Sequence, residues 1–230
     1  MKKAVVIISL LLGFSYIGFS QEMLLDEQVA PIYANSKWGP NQSNFIHLYC
    51  GFGFVTPMGQ NDANPVYLGK SSNWELGLRY KKRITNWLAI GGNVSYDLFN
   101  YRIPQNSDKK FPDLLFYSKQ KVLIHNISLQ PFLRFNFGRR GNKIGNYIDL
   151  GAFYNFVVGS AEKQFNTPNG LDKVKKKNLS YISKSYYGLF TNIGFGRLSI
   201  YGKYNMSSIF NDSKYADMPP LTIGLQLGFF

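Results

Sequence analysis

Apolar and polar side chains alternate along most of this chain with a period of two. The clearest case is the last ten residues, where Leu221, Ile223, Leu225, Leu227 and Phe229 alternate with Thr222, Gly224, Gln226 and Gly228. Such a period predicts a strand with one apolar face. The pattern recurs over residues 45–55, 73–81, 87–98, 122–137, 146–158, 185–194 and 197–206, so eight strands are expected in all. The connections alternate in length: long, short, long, short, long, short, long. A soluble sandwich gives no reason for this, whereas an up-and-down barrel with loops at one end and turns at the other does.

Charge sharpens the pattern. Across the second to eighth strands no Asp, Glu, Lys or Arg falls on the apolar parity, while Glu75, Arg79, Asp97, Arg134, Asp149, Arg197 and Lys203 fall on the opposite one. An apolar outside around a charged inside reverses the arrangement of a soluble barrel and suits hydrocarbon. The fold expected is therefore all-β: an eight-stranded antiparallel up-and-down transmembrane β-barrel over residues 45–230. Outward Trp74, Tyr80, Trp87, Tyr96, Phe137 and Phe156 near the strand ends suit interfacial girdles. Two positions break the pattern. Pro131 stands within a strand, where it cannot donate a ladder hydrogen bond, and predicts a local bulge. The terminal pair Phe229 and Phe230 divides between the two parities, so the register near the end has two readings.

The first residues account for export. Lys2 and Lys3 precede an apolar run over residues 4–19, with Gly18 and Ser20 ahead of Gln21, which reads as a signal peptide over residues 1–20. No cysteine follows the run, so it is not a lipoprotein leader. Residues 21–44, with Pro31, Gly39 and Pro40 and little periodicity, read as an irregular periplasmic entry segment.

Composition adds less. At 230 residues with 45% hydrophobic and 17% aromatic side chains, one domain is expected. Lys and Arg number 26 against 13 Asp and Glu, a net +13 that becomes +11 without Lys2 and Lys3. This balance favours anionic partners, and export favours lipid phosphates over nucleic acid. The basic residues concentrate in the long loops, where Lys109, Lys110, Lys175, Lys176 and Lys177 are expected to meet lipopolysaccharide headgroups. Cys50 is the single cysteine, which excludes an intrachain disulfide, and it reads as a small strand residue.

Three constellations bear on chemistry. Glu75, Arg79, Asp97, Arg134, Asp149 and Lys203 on the inward parity form either an ion path or a packed, ion-paired plug. An eight-stranded barrel has room for little beyond its own side chains, which favours the plug and no open pore. His47 and His125 have no companions at a metal-ligand spacing, so no metal or cofactor is expected. A lipid-deacylating site on the wall would need His and Ser together, but His125 and Ser128, three apart, point to opposite faces.

The run Ser128, Leu129, Gln130, Pro131, Phe132, Leu133, Arg134 and Phe135, residues 147–154 with Gly151, the hairpin over 188–204 and the terminal residues 227–230 together resemble the PorT-like outer-membrane β-barrel family. These are small barrels of OmpA and OmpX type architecture. The resemblance covers about residues 45–230 and includes a proline at position 131. It implies insertion by the barrel-assembly machinery and no specific activity. The expectation is a non-enzymatic barrel with a structural or interaction role in the outer membrane. An accessory component of a secretion or surface-assembly apparatus is the first alternative, and a lipid-modifying enzyme is a distant one.

Overall fold

The computed structural model describes residues 37–56, 66–67, 69–105, 109, 115–138, 141–166, 173–211 and 218–229. The expected signal peptide, most of the entry segment, Lys110 and Phe230 lie outside them. Among the described residues every regular element is a strand: β1 (Asn44–Thr56), β2 (Ser72–Arg83), β3 (Leu88–Ile103), β4 (Lys119–Phe137), β5 (Asn146–Phe165), β6 (Lys173–Lys177), β7 (Ser185–Phe195), β8 (Leu198–Asn205) and β9 (Leu221–Phe229). All pairings are antiparallel. Eight strands close a ring in the order β1, β2, β3, β4, β5, β7, β8, β9, and β9 pairs back onto β1. The ninth, β6, lies within the connection expected to be the longest loop and, among the described residues, pairs only with the far end of β5.

The register sets the size of the ring. Starting at Asn44 and stepping through directly paired residues leads to Lys82, Ile90, Leu133, Leu150, Thr191, Gly202 and Ile223. The path returns to β1 at Phe54, ten residues further along. With a rise of about 3.3 Å per residue and about 4.8 Å between strands, that stagger tilts the strands by about 40° and gives a backbone radius of about 8 Å. Side chains suffice to fill such a lumen.

Alternation decides which side chains enter it. Along β2, Asn73, Glu75, Arg79 and Lys81 are buried while Trp74, Leu76, Leu78 and Tyr80 are exposed on the outer wall. The same holds around the ring, with Val94, Ile127, Leu150, Leu189, Ile200 and Leu225 outside. Six of the inward aromatics follow a rule of their own. Tyr49, Phe132, Phe190, Phe153, Tyr147 and Tyr201 are each paired directly with a glycine on the next strand: Gly77, Gly91, Gly151, Gly188, Gly194 and Gly224. At Gly194 an added Cβ would stand 2.1 Å from the Tyr147 ring, and at Gly91 it would stand 2.4 Å from that of Phe132. Each ring thus lies flat over the space its neighbour leaves open.

The lumen is layered. At the turn end, Phe45, Ile144 and Tyr147 cluster. The segment before β1 folds under them: Lys81 donates to Pro40 O at 2.6 Å, Arg83 to Asn41 O at 2.8 Å, and Trp38 bridges Asn44. The middle holds charged and amide side chains. Towards the loop end the filling becomes apolar, with Phe99, Tyr101, Ile103, Val122, Ile124 and Tyr186 packed against Val66, Ile209, Phe210 and Met218 from the connections. The interior is therefore polar in its middle and apolar towards the loop end.

Three expectations need correction. β3, β4 and β5 run well past residues 98, 122 and 158, because inward and outward sides keep alternating after their polarity has reversed. The register does not shift at Pro131: Leu129 pairs with Tyr154 and Phe132 with Gly151 on the same count, and Pro131 points outward opposite Gly92. The bulge lies higher, between His125 and Asn126, where the partners jump from Gly159 to Val157 and leave Val158 as the extra residue. Arg197, expected inside, is exposed in the turn between β7 and β8, where Gly196 takes the left-handed φ of 64° that a tight turn requires.

Candidate functional site

All six residues expected in the interior network are buried in the lumen, and the ring brings them into two connected groups. In the first, Lys203 on β8 extends its ammonium to Glu75 Oε1 on β2 at 3.1 Å and Asp97 Oδ2 on β3 at 2.8 Å. In the ring β8 and β3 stand diametrically opposite, so this side chain spans the lumen. Glu75 also accepts from the Tyr49 hydroxyl at 2.8 Å, Gln130 Nε2 at 3.0 Å and Gln226 Nε2 at 2.9 Å. Asp97 accepts from Ser95 Oγ at 2.7 Å.

In the second group Arg134 meets Asp149 through two parallel bonds, Nε to Oδ1 at 2.6 Å and Nη2 to Oδ2 at 2.8 Å. This is the fork geometry in which a guanidinium matches a carboxylate best. Its guanidinium lies 3.7 Å from the Tyr147 ring centre. Arg79 links the groups. It donates to Asn93 Oδ1 at 3.0 Å, Tyr147 Oη at 3.3 Å and Gln226 Oε1 at 2.7 Å, and stacks 4.5 Å from the Tyr49 ring centre. Among the described residues Arg79 forms no ion pair, so its charge rests on amide and phenol oxygens and on a π face. Chemically, the arrangement is a set of satisfied partners. The carboxylate and ammonium groups are taken up by one another and by amides.

A further polar layer near the loop end did not stand out in the sequence. Glu162, buried on β5, accepts from Gln120 Nε2 and Gln164 Nε2, both at 2.6 Å, and Gln120 Oε1 accepts from Gln105. Its only sequence signal is the inward parity of Glu162 and Gln164, which the Val158 bulge hides.

The expected headgroup residues divide. Lys175, Lys176 and Lys177 lie in β6 and are exposed. Lys109 is instead turned inward, 3% exposed, with its ammonium donating to Leu115 O and lying over the Tyr117 ring, so a headgroup contact from it is corrected. His47 is buried and stacks on Phe45. His125 lies on the outer wall bonded to the Tyr96 hydroxyl, whereas Ser128 is buried in the lumen, so the two do not meet. Among the described residues no group of three or more His, Cys, Asp or Glu is placed to hold a metal ion. The chain matches no protein-family model and no curated protein sequence.

Proposed function

We propose that this chain is a small integral outer-membrane β-barrel of the PorT-like kind, exported through a signal peptide over residues 1–20. Its role is structural or one of interaction, and it has no open pore. Lipopolysaccharide and the other outer-membrane lipids are its surroundings, and the barrel-assembly machinery is its route of insertion. It presents its long connections and β6 to the outside. No enzymatic activity, cofactor or nucleic-acid partner enters this reading.

The observation that carries it is the inverted distribution of side chains. Rings of Leu, Ile, Val and aromatic residues stand exposed around the whole wall, while every carboxylate described in the structure is buried. Each such apolar side chain left in water forgoes about 1.5–3 kcal/mol, and a continuous belt of this kind far exceeds what soluble monomers expose. Its height fits a bilayer. The outward positions of β3 from Leu88 to Leu98 cover ten residues, or about 25 Å along the barrel axis at the tilt derived above. Trp74, Trp87, Phe137 and Phe156 near its margins suit the interfaces.

Fractionation of expressing cells tests this. The mature chain is expected in the outer-membrane fraction, extractable only with detergent, and faster on a gel unheated than boiled. A mature chain that stays monodisperse in buffer without detergent overturns the reading.

A further inference from the structure

On the outer wall beyond the apolar belt, cross-strand pairing lines up four cations. Arg102 on β3 pairs with Lys121 on β4, Lys121 with Lys163 on β5, and Lys163 with Lys175 on β6. Directly paired residues share a face, with Cβ atoms about 4.5–5.5 Å apart. That face is the outer one, because Ile103, Gln120 and Gln164 between them are buried. Like charges placed opposite one another destabilise a sheet.

The bulge builds this row. On the register that holds below it, Lys121 would pair with Glu162, an ordinary salt-bridged couple on the outer wall. The extra residue Val158 advances the count by one, turns Glu162 inward and sets Lys163 beside Lys121. The bulge thus exchanges a Lys–Glu pair for a Lys–Lys pair and re-aims the side chains of the far half of β5. Just below on the same wall come Leu98 and the exposed Ile127, Phe156 and Val158. The position therefore offers cations to an anion and an apolar wall to whatever is attached to it.

We propose that Arg102, Lys121, Lys163 and Lys175 bind the phosphate headgroup of an anionic lipid of the outer leaflet, a phosphorylated glycolipid whose acyl chains lie along the wall below. The site rests on the outer-membrane reading and makes it specific. Headgroup contact comes from the wall of β3 to β6 rather than from the loops at large.

The test uses the full mature chain in phosphatidylcholine nanodiscs doped with diphosphorylated lipid A, with its dephosphorylated form, or with neither, the last receiving inorganic phosphate instead. Bound lipid retained after mild delipidation is read by native mass spectrometry. The wild type is expected to retain the diphosphorylated lipid. A variant carrying Arg102→Ser, Lys163→Ser and Lys175→Ser is expected to bind it on the order of 100-fold more weakly. A control carrying Lys37→Ser, Lys82→Ser and Lys143→Ser, near the turn end, is expected to match the wild type. Unheated gel mobility verifies that each variant is folded, and a second variant, Lys163→Glu alone, serves if the triple variant is not. Equal retention by the wild type and the folded variant, or equal retention of the dephosphorylated lipid, overturns the site, as does saturation by inorganic phosphate alone. A chain that enters nanodiscs yet retains no lipid defeats only this inference. One that never enters them defeats the membrane reading as well.

Discussion

Lys203 holds two carboxylates that sit within one small volume, and no other cation pairs with Glu75 or Asp97 among the described residues. Removing one member of a buried ionic group leaves its partners uncompensated, at about 3–5 kcal/mol. Lys203→Met is therefore expected to lower the folding free energy by that amount in urea titrations in lipid vesicles. Adding Asp97→Asn is expected to restore part of the loss, giving a non-additive cycle. The glycines make a sharper comparison, because Gly91 and Gly92 are neighbours on opposite faces. A Cβ at Gly91 would stand 2.3 Å from Tyr80 O, whereas at Gly92 the nearest atom is 4.0 Å away. In the same titration Gly91→Ala is expected to cost about 1–3 kcal/mol, and Gly92→Ala less than about 0.5 kcal/mol.

At the scale of elements, the bulge governs which residues of β5 face outward. Deleting Val158 slips the far half of the strand by one position, which exchanges its two faces. In a Cys50→Ser background, Lys163→Cys is expected to react with a membrane-impermeant maleimide and Glu162→Cys to resist it. The deletion should reverse the two reactivities. The same region marks where the sequence stopped being readable. The strand over 73–81 was legible because outward apolar and inward polar residues alternate cleanly. Past Leu98 the alternation continues, but Phe99, Tyr101 and Ile103 now point inward while Arg102 points outward. Judged by a hydrocarbon-outside rule, such a stretch looks like loop. Beyond the apolar belt the strands carry a polar outside and an apolar inside, as a soluble barrel does. β6, with Lys at four of five positions, shows no alternation at all, and only its pairing with β5 makes it a strand. Among the candidate site residues, parity alone identified Glu75 and Arg134 but reversed Arg197, because a tight turn does not preserve it. Lys109 was unreadable because its burial depends on the backbone of Leu115 and the ring of Tyr117.

For the whole molecule, the three fillings of the lumen act in series. The underfolded segment at Pro40, the ionic middle and the apolar cluster around Phe99 and Tyr186 each occupy a lumen of about 8 Å backbone radius. Purified protein in planar bilayers is accordingly expected to show no discrete conductance steps, and regular channel openings would overturn the proposal of a barrel with no open pore. The distant pairings of the ionic middle carry a kinetic consequence. Lys203 and Asp97 are 106 positions apart, Tyr201 and Asn73 are 128 apart, and Gln226 and Glu75 are 151 apart. A half-zipped chain lying in the bilayer would turn these groups toward acyl chains with their counterparts still absent, an arrangement that hydrocarbon penalises severely. On the proposed outer-membrane reading such a chain has no stable halfway state, so β9 is expected to complete the barrel in one step, and a polypeptide truncated before Leu221 is expected to be missing from the outer-membrane fraction.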